Sequence, residues 1–184
     1  MCPSRKWPDD RGDPARRAFD ALAHRPLRLR LYPDAVLREV AVPIDWFDQR
    51  LSELAGDMYQ LMRRHRGIGL AAPQVGLDVR LFVADVGDGP FCVVNPRLVL
   101  LSDQCDNMVE GCLSLPDVQV DIRRRQRIEV IGRDTDGRLV HMEGTGLKAR
   151  VIQHEVDHLD GLLICDYADA TDVSSDMQEQ RSNQ

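Results

Sequence analysis

The sequence predicts a single α+β domain, with antiparallel strands packed around a central helix that can bind a metal ion. Three observations lead to that class. Apolar residues recur at helical spacing between Asp45 and His65, runs of period two occupy much of the stretch from Val79 to Glu143, and a closing helix after Thr145 carries the pattern H-E-x-x-H. A chain of 184 residues can bury most of its apolar surface in one core, and it shows neither an internal repeat nor a second core.

The elements follow in order. Residues 1–26 carry arginines but also Asp9, Asp10, Asp13 and Asp20, with no apolar run. That pattern excludes a secretory signal and argues against a transit peptide, although organellar import stays open. This N-terminal extension precedes a single folded domain over residues 27–168. A polar tail over residues 169–184 is expected to be disordered. In the first helix Leu51, Leu54, Met58, Leu61 and Met62 share one face. The small residues of Gly67-Ile68-Gly69-Leu70-Ala71-Ala72-Pro73-Gln74-Val75-Gly76 suit close backbone approach rather than regular structure. Val79, Leu81 and Val83 alternate as a strand does, a run from Phe91 ends at Asn95-Pro96, and Leu98 to Leu101 follows as another. Val118 to Ile122 alternates cleanly. Arg127 to Arg133 and Leu139 to Glu143 flank Asp134-Thr135-Asp136-Gly137, which reads as a hairpin. The last helix starts near Thr145 to Leu147 and stops at Asp160-Gly161, with a strand expected over Leu162 to Ile164.

Composition narrows the function. Twenty-four basic against 30 acidic residues give a net charge of −6, which disfavours general nucleic-acid affinity. A solvated strand edge is the commoner explanation for Arg123-Arg124-Arg125-Gln126-Arg127. No apolar run approaches the ~20 residues of a membrane-spanning helix. The five cysteines, Cys2, Cys92, Cys105, Cys112 and Cys165, have no framework spacing, which points to a reducing cytoplasm and one functional thiol.

The chemistry starts at Gln153-His154-Glu155-Val156-Asp157-His158. Histidines four apart lie one turn above each other on a helix, so both imidazoles can reach one ion. Glu155 projects about 100° round from His154 and can handle protons without ligating. Such a site needs a third ligand and a water. Little helix remains after His158 to return an acid to the ion, so the search turns upstream. Glu110-Gly111-Cys112-Leu113-Ser114-Leu115-Pro116 is the best place: Gly111 permits an unusual backbone turn, Pro116 stiffens the exit, and Cys112 can point a thiolate at the ion. A buried structural cysteine is the alternative. It suits Cys92 well and stays open for Cys112.

Taken together, Gly67-Ile68-Gly69-Leu70-Ala71-Ala72-Pro73-Gln74, Glu110-Gly111-Cys112-Leu113-Ser114 and Gln153-His154-Glu155-Val156-Asp157-His158 resemble the three signature motifs of the peptide deformylase family, in that order. The likeness covers roughly Leu27 to Tyr167, including Tyr32-Pro33-Asp34 and the long helix before the first motif. It implies a peptide-deformylase-like fold, with Cys112, His154 and His158 ligating one divalent metal that keeps a water in its fourth place. Fe(II) is the implied ion in the cell, replaceable by Zn(II), Ni(II) or Co(II). Metal-bound hydroxide would attack the formyl carbon, with Glu155 as general base and then as acid to the leaving amine. Gln74 and the main-chain N–H of Leu113 would stabilise the oxyanion. Gly69, Glu110 and Gly111 are implied on the substrate side, Gly69 keeping its main chain close to the peptide. Glu110 is expected to accept from a ligand histidine or to pair with Arg124.

The implied activity is removal of the N-formyl group from the formyl-methionine that starts new polypeptides, releasing formate. Implied partners are N-formylmethionyl peptides or nascent chains, with the ribosome as a further partner. No nucleic-acid specificity and no membrane contact are expected of this cytoplasmic monomer or weak dimer. An apolar pocket should take the methionine side chain, with Ile152 as a wall or as a core residue. Two departures stand out: Gln119 occupies the place of an arginine that holds the substrate backbone in many members, and the chain ends in a polar tail instead of a long helix. A zinc endopeptidase lacks its downstream ligand here, and an inactive relative would lack one of six site residues that are all present.

Overall fold

The structure is a computed structural model that describes Arg16, residues 26–100 and residues 102–168. The polar tail and, Arg16 and Pro26 apart, the N-terminal extension lie outside the described residues. In chain order come helix α1 (Gln49–Arg64), strands β1 (Gly69–Ala71), β2 (Leu81–Ala84), β3 (Phe91–Leu100), β4 (Cys105–Cys112), β5 (Leu115–Arg125), β6 (Arg127–Arg133) and β7 (Leu139–Thr145), and helix α2 (Gly146–Leu159). Short 3-10 turns cover Ala35–Arg38, Ala72–Val75 and Ile164–Asp166. The antiparallel sheet runs β1-β2-β3-β6-β7, while β4 and β5 form a separate two-stranded ribbon.

Helix α1 forms because its apolar residues repeat on one face and its start is capped. Asp48 accepts from the Arg50 N–H at 3.0 Å, satisfying one of the free donors of the first turn. Leu51, Leu54, Met58, Leu61 and Met62 are all buried, each contributing roughly 1.5–3 kcal/mol. The helix ends where Arg66 turns left-handed, with φ of 58°, and the Gly67 N–H bonds back to the Met62 carbonyl at 2.9 Å.

Strand β2 shows how the core divides. Leu81 and Val83 face the cluster built on α1, whereas Phe82 and Ala84 face the cluster that holds Ala149, Ile152 and Val156 of α2. Alternating side chains of one strand thus feed two cores, one on each face of the sheet. The β4–β5 ribbon covers a third cluster, where Leu115, Val120 and Ile122 meet Leu37, Leu163 and Ile164. Helix α2 packs against both the sheet and β5, so its residues are buried almost all round.

Five expectations change. Part of the small-residue run is ordered as β1 and a 3-10 turn, because Ala71 pairs with Phe82 and the Ala71 N–H bonds the Gln74 side chain at 2.8 Å. The two strands expected around Asn95-Pro96 are one strand. A register shift between Val94 and Arg97 absorbs the proline, and the Asn95 side chain bonds both the N–H (2.8 Å) and the carbonyl (2.6 Å) of Ile44. Strand β4 was not anticipated; its run of exposed residues shows no alternation to read. The strand expected over Leu162 to Ile164 is absent, and Asp166 instead accepts from the Leu163 N–H at 2.8 Å to hold a 3-10 turn. The arginine run is not a solvated edge throughout, since Arg124 is 5% exposed and points inward.

Candidate metal centre

The site begins with the face of α2 that looks toward the ribbon. His154 and His158 stand one turn apart, with ring centroids 5.0 Å from each other. Cys112 ends β4 where the ladder shifts register between Gly111 and Cys112, and its Sγ lies 3.2 Å from His158 Nε2. The ligand atoms of Cys112, His154 and His158 all fall within 4.8 Å of one another. The bulge does the aiming; Gly111 is not left-handed, and the positive φ in this region is the 65° of Asp117.

Behind the histidines lies a buried ionic network. His154 Nδ1 donates to Glu110 Oε2 at 2.9 Å, which leaves Nε2 for an ion. Arg124 donates to both Glu110 oxygens at 2.9 and 3.0 Å and to Asp157 at 2.5 Å. Arg150 adds a bond to Glu110 at 2.7 Å and reaches Asp106 at 2.8 Å. Burial alone would raise the Glu110 carboxyl, but the bonds from His154 and Arg124 prevail and hold it at about 2. Glu110 therefore both accepts from His154 and pairs with Arg124, and its oxygens are taken up by side chains rather than left for a substrate. The sequence reading missed Arg150. Its signal was a basic residue four before His154 on the helix, on the same face.

Glu155 is 3% exposed, and its Oε2 is buried without a hydrogen-bond partner among the described residues. Burial pushes its carboxyl up to about 7, against the positive charge of His154. Gly69 lies directly beneath it: a Cβ there would stand 2.1 Å from Glu155 Oε1. Gln74 Nε2 donates to Ser114 Oγ at 3.1 Å and contacts Cys112 Sγ at 3.5 Å, so the amide faces the ligand cluster. Ser114, fully buried, was not foreseen as its support. Leu113 occupies the tight connection from Cys112 to β5.

These groups line a cavity of about 440 Å³, which takes in Gly69, Gln74, Glu110, Gly111, Cys112, Leu113, His154 and Glu155. Its apolar wall comes from Ile68, Met108, Val109, Leu113, Leu147 and Val151. Ile152 is no part of it; it is fully buried in the core against the sheet. Gln119 pairs across the ribbon from Gly111, exposed and outside the cavity lining.

The residues fit a cation. Burial would lower His154, yet its bonds to Cys112 and Glu110 and the charge of Glu155 raise it to about 10, so without an ion the ring carries a proton that a bound metal would displace. Burial and the charges of His154 and Arg124 push His158 well below its ordinary value, leaving the neutral imidazole a ligand requires. One thiol, two imidazoles and a buried carboxylate beside a cavity are the parts of a mononuclear metal-dependent hydrolase.

Comparison with known proteins agrees. The family described as polypeptide deformylase matches residues 26–174. The peptide deformylase of Thermotoga maritima is 45% identical over 139 residues, covering 76% of this chain and 85% of the relative. The crystal structure of a Thermotoga maritima peptide deformylase superposes with a TM-score of 0.77 at 44% identity, covering 79% of this chain and 99% of that one. A peptide deformylase from Synechococcus elongatus, solved in complex with actinonin, gives a TM-score of 0.75 at 37% identity, covering 80% and 83%. The chain belongs to the peptide deformylase family, metal-dependent enzymes that remove the N-formyl group from nascent polypeptides.

Proposed function

We propose that the cavity receives the formylated N-terminus of a peptide, and that Cys112, His154 and His158 hold one divalent ion at its floor, Fe(II) in the cell. Zn(II), Ni(II) or Co(II) can take its place, since a thiolate with two imidazoles does not select one metal uniquely. The ion, when bound, supplies Lewis acidity that lowers the pKa of water from 15.7 to about 7. Glu155 takes the water's proton and returns it to the leaving amine nitrogen, releasing formate. Gln74 Nε2 and the Leu113 N–H face the formyl oxygen as its charge grows. The main chains of Gly69 and Gly111 run along the substrate, and Glu110 keeps His154 in its ligating tautomer.

The observation that carries this reading is Glu155 Oε2, buried beside the ligand triad with no hydrogen-bond partner among the described residues. A buried carboxylate oxygen left unpaired is costly and calls for a partner that comes and goes. The enclosing unit is the catalytic domain of residues 27–168, acting in the cytoplasm as a monomer or weak dimer on nascent chains, with docking at the ribosome. Among the described residues Cys92, Cys105, Cys112 and Cys165 form no disulfide, in keeping with a reducing compartment. Among the described residues no helix is long and apolar enough to cross a membrane.

The test is formate release from formyl-Met peptides by anaerobically prepared protein reconstituted separately with Fe(II), Zn(II), Ni(II) and Co(II). Acetyl-Met and internal-amide peptides serve as controls. Formate from the formyl peptide alone, fastest with Fe(II), is expected. Cleavage of internal amides, or no formate with any ion, overturns the reading.

A further inference from the structure

The charges on the cavity wall are not equivalent. Glu110, Arg150 and His154 satisfy one another, and Glu155 is buried. Arg66 is the exception: it lines the same cavity, is exposed, and its guanidinium takes no ion pair or hydrogen bond among the described residues. Its neighbours on the wall are apolar and open, with Ile68, Met108, Val109 and Leu147 between 42% and 58% exposed.

The backbone makes the arginine harder to dismiss. Arg66 is the left-handed residue that ends α1, with φ of 58° and its N–H bonded to the Arg63 carbonyl at 3.0 Å. Glycine or asparagine favours that position, because a Cβ is strained there. Here a long cation sits in it without an internal contact in return. Arg63 and Arg64, both exposed, precede it and reinforce positive potential at this edge of a chain whose net charge is −6. A free cation beside an apolar wall suits a peptide with an apolar first side chain and a carboxylate further along. A nucleic-acid strand would use the cation but not the wall.

We propose that Arg66 is a specificity-determining residue that draws in formylated peptides carrying Asp or Glu among the residues just after the formylated one. The proposal rests on the cavity being the substrate site. An Arg–carboxylate contact at such a half-open edge acts on binding, so the preference belongs in KM rather than kcat, and salt screens it.

The experiment compares kcat/KM for formyl-Met peptides with Asp, Glu, Asn or Lys at the second, third or fourth residue, using metal-loaded wild type, Arg66→Lys, Arg66→Gly and Arg66→Glu. The wild type is expected to favour acid over lysine on the order of threefold to tenfold at one position in low salt, as exposed charge contacts allow. Arg66→Lys retains most of that ratio, Arg66→Gly flattens it, and Arg66→Glu inverts it. The ratio is the readout, so a general loss of rate does not enter it. Arg66→Gly should also leave the melting temperature unchanged or higher, which separates a substrate role from a structural one. Equal acid-to-lysine ratios in wild type and Arg66→Glu overturn the proposal while leaving the activity intact. Failure of every peptide to release formate overturns the reading of the cavity and the proposal with it.

Discussion

Replacing Gly69 with alanine should cost this enzyme most of its turnover while leaving its metal in place. The added Cβ would lie 2.1 Å from Glu155 Oε1, 2.7 Å from its Cδ and 3.0 Å from Val151 Cγ1. Ordinary contact needs about 3.5 Å or more between such atoms. The carboxylate must therefore retreat by more than an ångström, within a space where Glu155 is only 3% exposed. A misplacement of about 1 Å costs on the order of 10²-fold, at the low end of the 10²–10⁴ that a positioned acid–base group supplies. A fall in kcat of roughly that size is expected, with bound metal near one per chain and KM changed much less. Steady-state kinetics and metal analysis on the same preparation provide the assay. A double variant, Gly69→Ala with Glu155→Gln, should be scarcely slower than Glu155→Gln alone, because both changes remove the same function. If Gly69→Ala keeps kcat within about threefold of wild type with its metal bound, the clearance argument is wrong.

Other expectations follow from the same geometry. Glu155→Gln should retain metal and lower kcat on the order of 10²-fold or more, whereas loss of the ion would make Glu155 a ligand. Cys112→Ser should lower metal content measured after dialysis against a weak chelator, and an unchanged content would remove Cys112 from the ligand set. The folded Glu110 carboxyl lies at about 2 against an ordinary 4.5. Its stabilisation is therefore complete above pH 4.5 and is lost as pH falls toward 2. At 1.36 kcal/mol per pKa unit that is about 3 kcal/mol, so urea midpoints measured between pH 5.5 and 3 should fall in wild type and much less in Glu110→Gln. Parallel slopes for the two proteins would show that this network is not the acid-sensitive element.

Local patterns carried a good part of this molecule. The one-sided repeat from Leu51 to Met62 marked α1, turn residues at Asp134 to Gly137 marked the β6–β7 hairpin, and the histidine spacing marked the face of α2. What escaped depends on partners distant in sequence. Arg124 sits among other arginines and reads as solvated, yet it is buried because Glu110 and Asp157, 14 and 33 residues away, receive it. Strand β4 has no period because much of it is exposed and it pairs on one side only, with β5. The bulge after Gly111 likewise shows only as a register shift, and composition could not distinguish it from a left-handed glycine turn.

Where the three proposed ligands come from has a mechanical consequence. Cys112 belongs to the ribbon, whereas both histidines belong to the helix packed on the main sheet. An ion held by all three would add a cross-link between two structural layers already joined by the chain at Gln126, by the bond from the Gly146 N–H to the Gln126 carbonyl, and by side-chain contacts. Binding that requires the assembled site adds its free energy to the cohesion of those layers. Loading should then slow amide exchange across β4 and β5 more than across the β6–β7 hairpin, and stripping the ion should free the ribbon to open ahead of the rest of the domain.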